Sequence, residues 1–241
     1  MVDVSIVLPA YNEARNIERA VKAVIETMDK TKYDYEVIIA EDGSTDGTDK
    51  IARRLADGKK VIHLHSDERL GRGKALNRAF SQARGKVVAF LDVDLSTDMS
   101  HLPELVDAAF KHGIAIGSRL KRESRTERPI KRDLPSKVYN FLVRLLLKSR
   151  VSDHQCGFKA FRKDVIVKIL PHVRNNHWFW DTEVLVIAQR MGYDVYEIPV
   201  RWKQGEETRV SVAKDSVYMF KCLLRMWWRD RWNRKDRRNA V

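Results

Sequence analysis

Asp92 and Asp94 close an apolar run, Val87-Val88-Ala89-Phe90-Leu91, and stand two residues apart. Successive side chains on a strand face opposite ways, so the two carboxylates project together while Val93 turns back. Two like charges at one strand end repel unless a cation joins them. A hard divalent ion, Mg²⁺ or Mn²⁺, takes oxygen ligands and is commonly shared with substrate phosphates. The plainer reading of the same residues is a solvated turn, which Asp also favours.

The elements that hold this pair follow from periodicity. Apolar runs at 4–8, 35–40, 61–65, 87–91 and 113–117 alternate with helical patterns at 16–28, 46–55, 74–83 and 102–111. Strands that are apolar throughout are covered on both faces, and alternating βαβ units give an α/β fold with a mostly parallel, doubly wound sheet. Ligands of such sheets bind beyond the carboxyl ends of the strands. Polar residues collect at those ends: Pro9 to Glu13, Glu41 to Thr48, Ser66 to Arg69, the aspartate pair, and Ser118-Arg119. Five strands therefore deliver chemistry to one edge.

Beyond Arg119 the pattern changes. Residues 121–133 form a charge-dense loop with the length of a lid. An amphipathic helix is expected at 135–148, a short strand at 158–161, a helix at 181–190 and a strand at 195–200. The expected division is a domain over 1–212, with a nucleotide half at 1–119 and an acceptor half at 120–212, followed by a basic helix and tail at 213–241.

The chain has 241 residues, 46 Lys and Arg against 33 Asp and Glu, and a formal net charge of +13. Such an excess points to an anionic partner: nucleic acid, an acidic lipid surface or a phosphorylated substrate. Clustered acids at the strand ends speak against nucleic acid, whose backbone they would repel. With only Cys156 and Cys222 no disulfide framework is expected, and a reducing compartment fits. The first strand begins at residue 4, so no signal peptide is expected, and no apolar run reaches the ~20 residues of a membrane span. The expected location is peripheral, on the cytoplasmic side of a membrane.

Neither a dinucleotide fingerprint nor a Walker-type loop is present. Gly71-Arg72-Gly73-Lys74 is glycine-rich and basic, but its spacing suits neither. Asp42 is placed to accept from a base or ribose, or to serve the following turn, where Ser44 and Thr45 could cap a helix. Lys74, Arg201 and Arg209 are candidate cations for a leaving diphosphate, the last two flanking Gly205 in a polar loop. Asp181 and Glu183 are candidate base or sugar-binding groups, and Asp181 could instead cap its helix. His63, His65 and the cysteines lack zinc-ligand spacing and read as structural.

Val138, Phe141, Leu142, Leu145 and Leu146 share one helix face, for which core packing is the common explanation. In the last helix Val217, Phe220, Leu224, Trp227, Trp228 and Trp232 stand among Lys221, Arg225, Arg229, Arg231, Arg234 and Lys235. Tryptophan and arginine on one amphipathic helix suit a membrane interface, or a surface covered by an integral membrane subunit.

Ser-Ile-Val-Leu-Pro-Ala-Tyr-Asn-Glu near the start, Glu-Asp-Gly-Ser-Thr-Asp-Gly-Thr after the second strand and Asp92-Val93-Asp94 resemble family 2 inverting glycosyltransferases of the GT-A fold. Gly117-Ser118-Arg119, Gln155-Cys156-Gly157-Phe158-Lys159 and Trp180-Asp181-Thr182-Glu183 resemble the dolichyl-phosphate sugar synthases within it, the glucosyl branch more than the mannosyl one. The resemblance implies that Pro9, Tyr11, Glu13 and Asp42 line a nucleotide pocket. Asp94 would hold Mg²⁺ or Mn²⁺ on the pyrophosphate, with Asp92 between ribose, sugar and metal. Ser96 stands where the mannose synthases have a metal-assisting glutamine. Arg119, Arg132 and Ser136 would hold the acceptor phosphate. The activity implied is transfer of a hexose from UDP-glucose or GDP-mannose to polyprenyl phosphate with inversion. The rival within the fold is a saccharide or glycolipid hydroxyl acceptor.

Overall fold

The computed structural model describes the backbone of residues 2–127, 130–205 and 212–239, and the side chains of 2–127, 133–205 and 215–231. Strands β1 (Val4–Ala10), β2 (Tyr35–Glu41), β3 (Val61–Leu64) and β4 (Val87–Leu91) alternate with helices α1 (Ile17–Met28), α2 (Thr48–Leu55) and α3 (Arg72–Gln82). Then come α4 (Leu102–His112), β5 (Ile114–Ser118), β6 (Arg125–Glu127), α5 (Ile130–Leu147), β7 (Phe158–Arg162), α6 (Lys163–Ile169), α7 (Trp180–Arg190), β8 (Tyr196–Pro199), β9 (Arg201–Lys203) and α8 (Val212–Asn239).

Seven strands form one sheet in the order β3-β2-β1-β4-β7-β5-β8, and β6 pairs with β9 separately. The pairs β1–β2, β1–β4, β2–β3 and β5–β8 are parallel, as the alternating pattern requires. The exception is β7, which lies antiparallel between β4 and β5.

Strand side chains alternate between two cores. Val4, Ile6 and Leu8 pack with α1 and α4, whereas Val7 joins Phe80 of α3, Val143 of α5, Ile166 of α6 and Val184 of α7. The helices show the spacing this demands: α1 buries Ile17, Ala20, Val21, Val24 and Met28, a single stripe. Met219, Cys222, Leu223 and Met226 of α8 belong to the same core as α3 and α7, so that helix is built into the domain. No helix among the described residues is long and apolar enough to cross a membrane.

Helix α5 begins at Ile130 and contains Pro135, where the sequence suggested its start. Its inward face is Ser136, Asn140, Val143 and Leu147. The stripe expected to pack inward is split: Leu142 and Leu146 lean on the core, while Val138, Phe141 and Leu145 are exposed. The expected 121–133 lid is shortened by β6 and by the start of α5.

Glu183, on the first turn of α7, is a tie between elements. Its Oε2 accepts the backbone N–H groups of Arg174 and Asn175 at 3.0 and 2.8 Å, and its Oε1 accepts Arg229 of α8 at 2.9 Å. Removing it leaves three donors unmatched in a mostly buried place. Glu183→Ala should therefore lower unfolding free energy by about 3 kcal/mol in urea titrations. A loss within error of zero would show that Glu183 does not hold α8 to the domain.

Candidate active site

The sheet order turns back between β1 and β4, and ligands of open α/β sheets sit at such switch points. Pairing of β1 with β4 ends at Val7 opposite Phe90, while pairing with β2 continues to Ala10 opposite Glu41. The two strands therefore part at their carboxyl ends. Pro9, which has no N–H to offer a ladder, falls beyond the last β1–β4 rung.

On the β1–β2 side the loops are stitched together. Ser44 Oγ accepts from Asn12 N–H at 2.9 Å, Asn12 Oδ1 accepts from Thr45 N–H at 2.7 Å, and Thr48 Oγ1 accepts from Glu13 N–H at 2.7 Å. Ser44 and Thr45 do not cap α2, whose N-cap is Gly47. The Arg69 guanidinium stacks 3.9 Å from the Tyr11 ring centroid. Asp42 is buried, and its two oxygens accept Leu70 N–H at 2.7 Å and Gly71 N–H at 2.9 Å. It thus fixes the loop into α3. Lys74 lies exposed on the first turn of that helix.

Gly71 has φ +99°, and a Cβ there would stand 2.4 Å from His177 Nδ1. Together these explain a glycine at this turn without a phosphate motif. What the turn delivers is Arg72, a residue the sequence reading passed over. Arg72 Nη2 pairs with Asp92 Oδ1 at 2.7 Å, and its Nε faces Asp181 Oδ2 at 3.6 Å. Asp181 Oδ1 accepts Lys159 Nζ at 2.6 Å, and Lys159, fully buried, also donates to Cys156 O at 2.5 Å. Asp181 makes no capping bond for α7. The floor of the crevice is thus a chain of alternating charge, Lys159–Asp181–Arg72–Asp92, ending at Asp94. Burial pushes the Asp92 carboxyl above its ordinary range against the pull of Arg72, and Asp94 and Asp181 add to the rise. Arg72 is raised in turn, because Asp92 and Asp181 outweigh its desolvation.

The cation inferred for the aspartate pair is therefore partly supplied by the protein. Asp94 has no such partner among the described side chains. Ser96 N–H and Oγ donate to its oxygens at 3.0 and 2.6 Å, and Gly205 N–H donates to Ser96 Oγ at 3.3 Å. Counting Asp92, Asp94 and Asp181 against Arg72 and Lys159 leaves one negative charge and an all-oxygen edge. Those are donors that fit a hard divalent ion.

Gly157 shows how tightly the floor is assembled: a Cβ there would come within 1.8 Å of Asp92 Oδ2. Burial pushes the Cys156 thiol up to about 12, so it stays protonated and unreactive.

Other expected residues lie farther from this cluster or are engaged elsewhere. Arg201, on β9, pairs with Asp98 at 2.9 Å and donates to Ser100 Oγ at 2.8 Å. Arg119 is held by Asp153: its Nε and Nη2 donate at 2.7 and 2.9 Å, and its N–H adds a bond at 3.0 Å. Two of its guanidinium donors are thus taken by a buried carboxylate. Ser136 is 5% exposed, and its Oγ has no hydrogen-bond partner among the described residues. Glu183 serves the α7–α8 tie. The Arg132 side chain and all of Arg209 lie outside the described residues.

Residues 5–170 match the family model for glycosyl transferase family 2. The chain belongs to that family. It is 49% identical over 232 residues to glycosyltransferase AglD of Haloferax volcanii, an alignment covering 94% of this chain and 37% of AglD. It is 31% identical to the dolichyl-phosphate beta-glucosyltransferase of Saccharomyces cerevisiae, over 91% of this chain and 72% of the yeast protein. The chain thus spans little more than a third of the archaeal relative. Among solved structures, glucosyl-3-phosphoglycerate synthase of Mycobacterium tuberculosis, crystallised with Mn²⁺, UDP and glucosyl-3-phosphoglycerate, shares the fold at a TM-score of 0.70. That likeness covers 94% of this chain and 80% of the other at 19% identity. The family's mixed α/β fold agrees with the expectation from sequence.

The Arg119–Asp153 pair has a pH signature. Burial alone would raise the Asp153 carboxyl, but the Arg119 charge and its hydrogen bonds prevail and hold it far below the usual range. A depressed native pKa stabilises above the unfolded value and is lost as pH falls toward the native one. Asp153→Asn should cost about 3 kcal/mol near neutrality, since it strands a buried guanidinium. The gap to wild type should narrow below about pH 4, where the unfolded-state aspartate protonates. A pH-independent gap in urea unfolding would refute the assignment.

Proposed function

We propose that this glycosyltransferase moves a hexose from a nucleoside diphosphate sugar to a polyprenyl phosphate of the dolichyl type, with inversion. The observation that carries the reading is the switch-point crevice with its charge-paired floor. The dolichyl-phosphate acceptor named for the yeast relative supports it.

In this reading Pro9, Tyr11, Glu13 and Asp42 border the nucleotide, with Lys74 and Arg209 near its phosphates. Asp94 and Ser96 would hold the divalent metal, with Asp92 beside them and Arg201 at the outer rim. A bound Mg²⁺ or Mn²⁺ would supply charge neutralisation for the leaving diphosphate. The remaining work belongs to the side chains. Arg72 fixes Asp92 toward the sugar, and Lys159 fixes Asp181 behind it. An oxygen of the acceptor phosphate attacks the anomeric carbon opposite the departing oxygen. The carbon–oxygen bond to the nucleoside diphosphate breaks with its electron pair remaining on the diphosphate.

A phosphate acceptor is already ionised near neutrality, so the step needs no proton abstraction. A sugar hydroxyl would need a carboxylate base. Asp92 and Asp181 are each already engaged by a cation, Arg72 and Lys159. The unpartnered hydroxyl of buried Ser136 suits a phosphate oxygen, joined by Arg132. Arg119 shapes this end through Asp153.

The acceptor is a lipid, and two helices offer it a surface. On α5, Leu134, Val138, Phe141 and Leu145 are exposed, at 60, 49, 54 and 60%. On α8, Val217, Phe220 and Trp228 are exposed, with Lys221 and Arg225 between them. Apolar and aromatic side chains among cations suit the interface of an anionic membrane, approached from the cytoplasmic side. An integral membrane subunit on the same face is the variant of this reading.

Incubation with UDP- and GDP-sugars and a polyprenyl phosphate should yield labelled lipid, and chelation should abolish it. Asp94→Ala should cost at least about 10²-fold in kcat. Full activity of Asp94→Ala in the presence of metal would remove Asp94 from the site. Ser136→Ala should raise KM for the lipid phosphate with donor affinity unchanged. If calorimetry finds the loss in donor binding, Ser136 belongs to the other end.

Phe141→Glu with Leu145→Glu should release the chain from anionic vesicles and spare activity on short, water-soluble acceptors. Equal sedimentation of this variant and wild type would move the anchor off α5.

A further inference from the structure

Away from the crevice floor, Glu41, His63 and His65 come together at the ends of β2 and β3. Pairing of these strands sets Ile39 opposite His63 and Ala40 opposite Leu64, a register that carries Glu41 to the side of His65. The two-residue period then puts all three side chains on one face. Their ligand atoms lie within 4.8 Å of one another. Zinc-ligand spacing along the chain, the pattern sought in the sequence, cannot reveal a site whose ligands come from neighbouring strands.

Two details distinguish this cluster from an ordinary ion pair. His63 Nε2 has no hydrogen-bond partner among the described residues, although its side chain is only 8% exposed. It lies 3.9 Å from Glu41 Oε2, too far for a hydrogen bond and within the span of two ligands on one ion. The other groups are already oriented. Glu41 Oε1 accepts Ser44 N–H at 2.5 Å, which leaves Oε2 toward the imidazoles. His65 Nε2 lies 3.2 Å from Asp67 Oδ1, and Nδ1 lies 2.5 Å from Glu41 Oε2. A proton held on Nε2 by Asp67 frees Nδ1 as a ligand, the carboxylate–histidine relay common behind zinc.

We propose that Glu41 Oε2, His63 Nε2 and His65 Nδ1 bind one zinc ion, with water as fourth ligand and Asp67 behind His65. Two imidazoles and a carboxylate select a borderline ion over Mg²⁺. Zinc bonds of about 2.0 Å place tetrahedral ligands roughly 3.3 Å apart, so the His65–Glu41 contact opens on binding. His65 stands at the strand end and half-exposed, where a side-chain rotation suffices. The ion would join β2 to β3 one residue before Asp42 and at the root of the loop that Asp42 holds. It is a positioning metal, separate from the one at Asp94.

The test uses the full chain, stripped of metal and then titrated with Zn²⁺ by calorimetry and with Co²⁺ by visible absorption. One zinc per chain is expected, together with a four-coordinate cobalt band that survives in Asp94→Ala. His63→Gln and His65→Gln should each abolish the band. Asp67→Asn, at a 98% exposed side chain that cannot disturb the core, should weaken zinc affinity about tenfold. No binding, a band untouched by both histidine variants, or a band lost in Asp94→Ala would each overturn the proposal.

Discussion

Lys159 is a fully buried ammonium in the middle of the sheet, and the rest of the site is organised around neutralising it. An unpaired charge in that position would cost several kcal/mol, so Asp181 must meet it. Asp181 in turn draws Arg72, and Arg72 draws Asp92. Each partner comes from a different element: β7, α7, the first turn of α3 and the end of β4. The chain of charge therefore works as a set of struts, in which no member can be repositioned without exposing the next. Phe90 lies beneath both cations, its ring centroid 5.4 Å from each. The aromatic face offers them a second, weaker stabilisation that does not compete for the carboxylates.

This arrangement explains why the sheet departs from a uniform parallel design. A strand laid between β4 and β5 brings Lys159 beside Phe90, and the register sets Lys159 opposite Phe90 on one side and Ile116 on the other. Gly157 precedes it because Asp92 occupies the space a side chain would fill. β1 and β2 then border one side of the floor and the β5–α5 region the other.

Much of the first half was legible because its signals are local. The βαβ alternation and the aspartate pair depend on the period of apolar residues and on strand ends, and the observed boundaries fall within a few residues of those expected. Arg72 was not legible, since its glycine-flanked position resembles a failed phosphate loop until His177 and Trp180 are seen to crowd it. Glu183 had the composition of a site residue, but its tie to Arg229 of α8 was not legible from any motif. The burial of Arg119 depends on Asp153, which no motif joins to it. The α5 stripe had the correct period, yet the face turned inward is the more polar one, carrying Ser136 and Asn140. Periodicity shows that a helix has two faces but does not say which of them meets protein.

The placement of β7 has a consequence for how the chain is made. Strand β4 leaves the ribosome early, and β5 follows it, yet neither can complete its hydrogen bonding until β7 arrives to fill the slot between them. Until then β4 and β5 each keep an unpaired edge, and unpaired edges of apolar strands are prone to wrong pairing. The final core contacts, from Met219 to Met226, come later still. Translation thus delivers the pieces of this domain in an order that leaves its centre unsealed almost to the end.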